Sequence, residues 1–249
     1  MDDQKCHFCI RIVLSLAVCG ALIFAVPGWS LDKDGSSTSK QGEPKVERKK
    51  STKKSFPSSG HFTDARDGTS YRTIRIGAQV WMAENLKYKA GNSWCYDNDA
   101  NNCQKYGRLY DWQAAMNACP GGWHLPTDEE WAALEKNVGG AETAGMKLKS
   151  TNGWVGWTSA VENDNGTDAY GFTVLPAGSR GNRSSFCCLG KEGEFWSATE
   201  DDEGPAWRRG SYAWKHGFAT EYENVRRFAH SKEEEMSVRC IENTQGAYP

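Results

Sequence analysis

Residues 106–140, YGRLYDWQAAMNACPGGWHLPTDEEWAALEKNVGG, constrain the fold more than any other part of this chain. Leu109, Trp112 and Met116 recur at helical spacing, and Ala114, Ala115 and Ala118 favour the same helix. Pro120-Gly121-Gly122 stops it. Thr127 is placed to cap a second helix, with Glu130 as the other half of a capping box. Asp128 and Glu129 suit the positive end of that helix's dipole. Trp131, Leu134 and Val138 form its apolar stripe, and Gly139-Gly140 ends it. Two short amphipathic helices need a further layer to lie against. The block holds no catalytic set.

The N-terminus speaks for export. Lys5 and Arg11 precede an apolar run over 12–26, whose 15 residues fit a signal-peptide core. A full membrane span needs roughly 20 residues. Gly28-Trp29-Ser30 places cleavage near Ser30, so 1–30 reads as a signal peptide, with an uncleaved N-terminal anchor as the competing reading. After cleavage the mature chain carries no membrane span. Leu16-Ala17-Val18-Cys19 has the outline of a lipoprotein box, but Cys19 lies inside the apolar run and follows Val. Residues 31–60 hold eight Lys or Arg against four acidic residues and little to bury. Such a Lys/Ser-rich segment cannot offset its ordering entropy and reads as a disordered tether.

From His61 onward 20 basic residues face 26 acidic ones, a net charge of −6 with His neutral. That balance argues against a nucleic-acid footprint. The length of 61–249 suits one domain with a sizeable core. Within it stand Cys95, Cys103, Cys119, Cys187, Cys188 and Cys240. In an oxidising compartment an even count reads as a disulfide framework, although about 15 full pairings are open to six cysteines. Cys95 and Cys103 bracket a polar loop and are the natural local pair, and a Cys119–Cys240 link would close a long loop. Cys187 and Cys188 then bond to each other or stay free. Zinc is the rival account, but no C-x-x-C or His pair has ligand spacing. Around these staples, 71–76 and 80–84 read as a hairpin turning at Gly77-Ala78-Gln79. Residues 144–148 read as a short helix, and 172–175, 195–199, 211–214 and 237–241 as strands.

These residues resemble a family. Val80-Trp81-Met82-Ala83-Glu84-Asn85-Leu86, Tyr106-Gly107-Arg108-Leu109-Tyr110, Cys119-Pro120-Gly121-Gly122-Trp123-His124-Leu125-Pro126, Tyr170-Gly171-Phe172, Phe195-Trp196-Ser197-Ala198-Thr199-Glu200 and Ser237-Val238-Arg239-Cys240 are similar, in order, to the Fibrobacter succinogenes major paralogous domain. The resemblance implies an exported bacterial protein of α+β, C-type-lectin-like fold. Two main helices would flank small twisted antiparallel sheets with long loops, and Cys119–Cys240 would match the fold's helix-to-last-strand disulfide. The family's activity is not established.

Three functions follow as expectations. The first is a secreted or cell-surface binding module for glycans or the plant cell wall, with no catalysis. Its ring candidates are Trp154, Trp157, Trp207 and Trp214, which lie in or near loop-rich stretches. Trp112, Trp123, Trp131 and Trp196 occupy patterned positions and read as core. The second is a structural module of the cell envelope that docks another surface protein. The third is an oxidoreductase like the formylglycine-generating enzymes, whose Leu-Pro-Thr…Glu-Trp segment resembles residues 125–131. Those enzymes bind copper through spaced cysteines, whereas Cys187 and Cys188 are adjacent. His124 reads as a structural hydrogen-bonding residue more readily than as a general base. No cofactor is expected. A structural calcium in 97–101 or 162–168 is weighed against ordinary turn chemistry, which the Asn, Asp and Gly there explain more simply. Glu200-Asp201-Asp202-Glu203 reads as a solvated loop.

Overall fold

The computed structural model describes residues 58–156, 164–181 and 184–243. The expected export segment, the expected tether up to residue 57 and Trp157 lie outside them. The described residues form a mixed α+β structure with four α-helices, three small sheets and three disulfides. No helix among them is long and apolar enough to cross a membrane.

The first sheet runs, in spatial order, Ser59–Thr63, Ser70–Ile76, Gln79–Met82, Ile241–Glu242 and Trp123–His124. The expected hairpin pairs Ile76 with Gln79, so the turn is the two residues Gly77-Ala78 and Gln79 joins the strand. Gly77 has φ 61°, the backbone such a tight turn requires at its first position. Ser59 pairs with Ile74 and Gly60 with Thr73, so these two residues of the expected 31–60 tether belong to a strand.

The second sheet runs Arg226–Ser231, Tyr212–Ala219, Glu192–Glu200, Met236–Ser237, Leu109–Tyr110 and Ser93–Trp94. Ser179–Arg180 and Phe186–Cys187 form a separate two-stranded ribbon. The expected strand over 237–241 is broken between the two large sheets. The 172–175 segment contributes a single bridge, Val174 to Lys149.

The helix Asp128–Asn137 carries the expected capping box. Thr127 accepts from the Glu130 amide at 3.2 Å, and Glu130 accepts from the Thr127 amide at 2.9 Å. The helix before it is shorter than its apolar spacing suggests, covering Trp112–Met116. The Asp111 carboxylate accepts from the Ala114 amide at 2.7 Å, and this cap releases Leu109 and Tyr110 into a strand. Met116 is consequently exposed rather than part of the buried stripe. Helix Ala100–Tyr106 occupies the supposed polar loop between Cys95 and Cys103, capped by Asp99 on the Asn101 amide. Helix Ala141–Leu148 completes the set.

Strand alternation divides the interior in two. Trp81, Phe195 and Ile241 face one core with Trp131, Leu134, Phe172 and Phe218, whereas their neighbours Met82, Trp196 and Cys240 face the other with Tyr110, Trp112 and Trp123. Burying Phe195 and Phe218 contributes roughly 2–3 kcal/mol each. Cys119–Cys240 (Cα–Cα 5.9 Å) ties the segment after Trp112–Met116 to the junction of the two sheets. Cys95–Cys103 (4.9 Å) closes a short loop, and Cys187 is bonded to Cys188.

Candidate functional site

Tyr212, Trp214 and His216 alternate along one face of the strand Tyr212–Ala219. Cross-strand pairing of His216 with Arg227 places Arg227 on that face as well. At one end His216 is only 2 % exposed beneath the helix Asp128–Asn137. At the other end Trp214 and Tyr212 are half-buried. Trp207 arrives from the loop before the strand, is 67 % exposed, and meets Tyr212 edge to face with centroids 5.7 Å apart.

A guanidinium attends each ring of this strip. Arg208 stands 4.9 Å from the Trp207 centroid and 5.0 Å from that of Tyr212, with Asp201 3.9 Å away. Arg227 lies 3.3 Å over Trp214 and donates through Nε to both oxygens of Asp128 at 2.8 Å. Rings with an exposed face accept C–H groups, while guanidinium N–H groups donate to hydroxyls. Arg227 covers one face of Trp214, so Trp207 is the ring that offers the larger open surface.

At the covered end of the same face lies a charged clamp. His216 Nε2 is 3.0 Å from Asp128 Oδ1 and Nδ1 is 3.0 Å from Glu135 Oε1, while its ring stacks on Trp131 at 5.1 Å and 17°. Burial pulls the imidazole pKa down, but the hydrogen bonds to Asp128 and Glu135 outweigh it and raise the value above its ordinary 6.5. Desolvation pushes Asp128 up, yet His216 and Arg227 together hold its carboxyl at about 2. The helix therefore anchors the strand that carries the strip.

Two of the sequence-selected rings, Trp207 and Trp214, come to this one face. Trp154 does not. It is 4 % exposed, packs in the first core, and donates through Nε1 to Ser150 Oγ at 3.0 Å, so its ring is closed to a ligand. Trp157 lies outside the described residues. Tyr212, Arg208 and Arg227 join the strip without having been singled out. Tyr212-x-Trp214 was visible as an alternating pair, but the place of Arg227 depends on strand register.

The remaining candidates have local partners. His124 sits between Asn243 (2.6 Å) and Glu130 (3.0 Å), as a helix-junction hydrogen-bonding residue. Asp99 caps a helix, and Asp168 accepts from Thr173 N and Oγ1. Asp201 is buried and accepts from the Gly204 amide at 3.0 Å, which corrects the reading of 200–203 as a fully solvated loop. Among the described residues, no three His, Cys, Asp or Glu side chains are grouped to hold a metal ion.

The family model of the Fibrobacter succinogenes major domain matches residues 74–242. No curated protein and no solved structure matches the chain.

Proposed function

Starting from a chain that belongs to the Fibrobacter succinogenes major domain family, we propose that it is an exported, non-catalytic module that binds extracellular polysaccharide through the Trp207–Tyr212–Trp214 strip. The carrying observation is Trp207, a large ring left 67 % exposed while supported by Tyr212 and Arg208. An isolated exposed aromatic would say little, but a ring set edge-on against a second one with a guanidinium beside both is a prepared surface. Of the nine domain tryptophans among the described residues, six are buried, which narrows the sugar-stacking role to the few that remain.

A C-type-lectin-like arrangement is part of this reading, supported by the helices beside small antiparallel sheets and by the Cys119–Cys240 link. Secretion or display on the cell surface rests on the 1–30 segment. The docking alternative draws support from the edge strand Arg226–Ser231, where Phe228 is exposed beside unpaired backbone. An oxidoreductase of the formylglycine-generating kind is the weakest reading, since Cys187, Cys188 and Cys240 are all taken up in disulfides.

The test is binding of the oxidised full-length chain to insoluble and soluble polysaccharides, with calcium and with chelator. Saturable binding is expected, and W207A should weaken it by roughly 30-fold, the effect of losing a central aromatic worth about 2 kcal/mol. Binding that survives intact in a folded W207A/W214A variant would remove the strip from the site. No binding to any glycan would move the weight to protein docking.

A further inference from the structure

A second site stands apart from the aromatic strip. Residues distant in sequence close around a cleft of about 70 Å³ lined by Arg72, Glu84, Asn85, Lys105, Gly107 and Thr173. A polar space of that size admits ordered water or a small charged group such as a carboxylate. Gly107 forms its wall at φ 81°, where a Cβ would come within 2.7 Å of the Asn85 Cβ.

The charge around the cleft is unbalanced. Arg72, Lys87 and Lys105 meet one lining carboxylate, Glu84, which stands 4.0 Å from Lys87. Lys105 Nζ lies 4.7 Å over the Tyr106 ring and has no carboxylate partner among the described residues. Among the described residues the Arg72 guanidinium donates only to neutral oxygens, Thr173 Oγ1 at 3.3 Å and the Ala83 carbonyl at 3.4 Å.

Behind the wall is a fourth cation. Arg239 is 0 % exposed and donates to Asn85 Oδ1, to the Phe172 carbonyl and, at 3.2 Å, to the Thr173 carbonyl. All three partners are neutral, and its Nε has none. Asp168 and Glu84 act on it only through space, and Asp168 is already engaged by Thr173 N at 2.7 Å and Oγ1 at 2.8 Å. Burial lowers the Arg239 pKa to about 9. A buried charge lacking a bonded counter-ion is costly, and an anion nearby offsets that cost. Asn85 and Thr173, two of the residues that line the cleft, are both bonded to Arg239, so the cleft is where such an anion can approach. Thr173 is also held at φ 56°, a backbone that a β-branched residue adopts only under constraint, and such strain gathers at ligand sites.

We propose that this cleft receives a single carboxylate group, presented by a sugar acid or by a free carboxylic acid, between Arg72, Lys105 and the Asn85–Thr173 wall. Guanidinium and ammonium donors around a two-oxygen group give short, charge-assisted hydrogen bonds. The site stands independently of the glycan reading of Trp207.

The experiment follows the amide resonances of Gly107 and Thr173 in the isotope-labelled, oxidised full-length chain. The probes are acetate, D-galacturonate, neutral D-galactose, phosphate and sodium chloride at matched ionic strength. Acetate and galacturonate should give saturable shifts, and galactose and chloride none. R72Q and K105Q, both altering exposed side chains, should each weaken binding by roughly three-fold or more, as expected for a solvent-reached ionic contact. Tighter binding of galacturonate identifies a sugar acid as the source, and equal affinities identify a free carboxylic acid. The proposal fails if chloride or galactose reproduces the shifts, if phosphate binds more tightly than either carboxylate, or if both variants bind as the parent does while keeping its near-ultraviolet dichroism.

Discussion

Replacing His216 tests whether the clamp, and not apolar packing alone, fastens the strip-bearing strand to the helix Asp128–Asn137. The native imidazole lies between Asp128 and Glu135 at 3.0 Å each and stacks on Trp131. In H216F the ring and its stacking are kept, but both carboxylates lose their cation and only Asp128 retains another, Arg227. Removing one partner from a buried ionic cluster costs about 3–5 kcal/mol, which for a domain of this size lowers Tm by roughly 10 °C. The pH dependence carries the sharper signature. Because the folded pKa of His216 is raised, its stabilisation is fully present below about 6.5 and is lost as pH rises through the folded value. Asp128 runs the other way, its contribution being present above the ordinary carboxylate range and lost only as pH falls through about 2. The H216F penalty should therefore be full near pH 5.5 and smaller at pH 9, because the clamp weakens as pH rises toward and through the raised value. Urea unfolding followed by tryptophan fluorescence at both pH values measures it. An H216F penalty that is absent at pH 5.5, or equal at the two pH values, would refute the ionic account.

Two further perturbations probe the frame. G145A should destabilise the domain by roughly 1–3 kcal/mol although alanine favours helices by about 1 kcal/mol. Its Cβ would stand 2.6 Å from the Glu223 carbonyl and 2.7 Å from that of Asn224. Faster hydrogen exchange at Met146, whose amide bonds Glu223 at 2.9 Å, should accompany the loss, and a more stable variant would contradict the close-packing argument. Removing Cys119–Cys240 should cost about 5 kcal/mol and removing Cys95–Cys103 about half of that, from loop-closure entropy alone. The sequence separations are 121 and 8. Matched urea curves of the two double-alanine variants compare them, and equal losses would mean that loop length is not the origin.

Much of the local structure was legible because its causes are local. The Thr127–Glu130 box, the Gly77 turn and the helix through Trp131 depend on residues within a few positions of one another. The first helix was overextended because Leu109 and Met116 share helical spacing with Trp112, while Asp111, the residue that caps, counts for nothing in apolar periodicity. Helix Ala100–Tyr106 was missed for the opposite reason, since Cys103 and Tyr106 are all it buries and the rest reads as a polar loop. Loop-rich surroundings single out Trp207, Trp214 and Trp154 alike, and only the structure separates Trp154, whose ring turns inward onto Ser150.

The sequence by itself determined the two-helix block, the family, the even cysteine set and the acidic balance of the domain, because each is a matter of composition, spacing or order along the chain. Only the tertiary structure decided which tryptophans face water, that His216 sits between Asp128 and Glu135, and that the buried Arg239 is bonded to neutral oxygens behind Asn85 and Thr173. The pairs that decide these points are separated by 66 to 154 residues along the chain. Their meeting is set by strand register and by the two-faced burial of the sheets, which no local pattern of residues encodes.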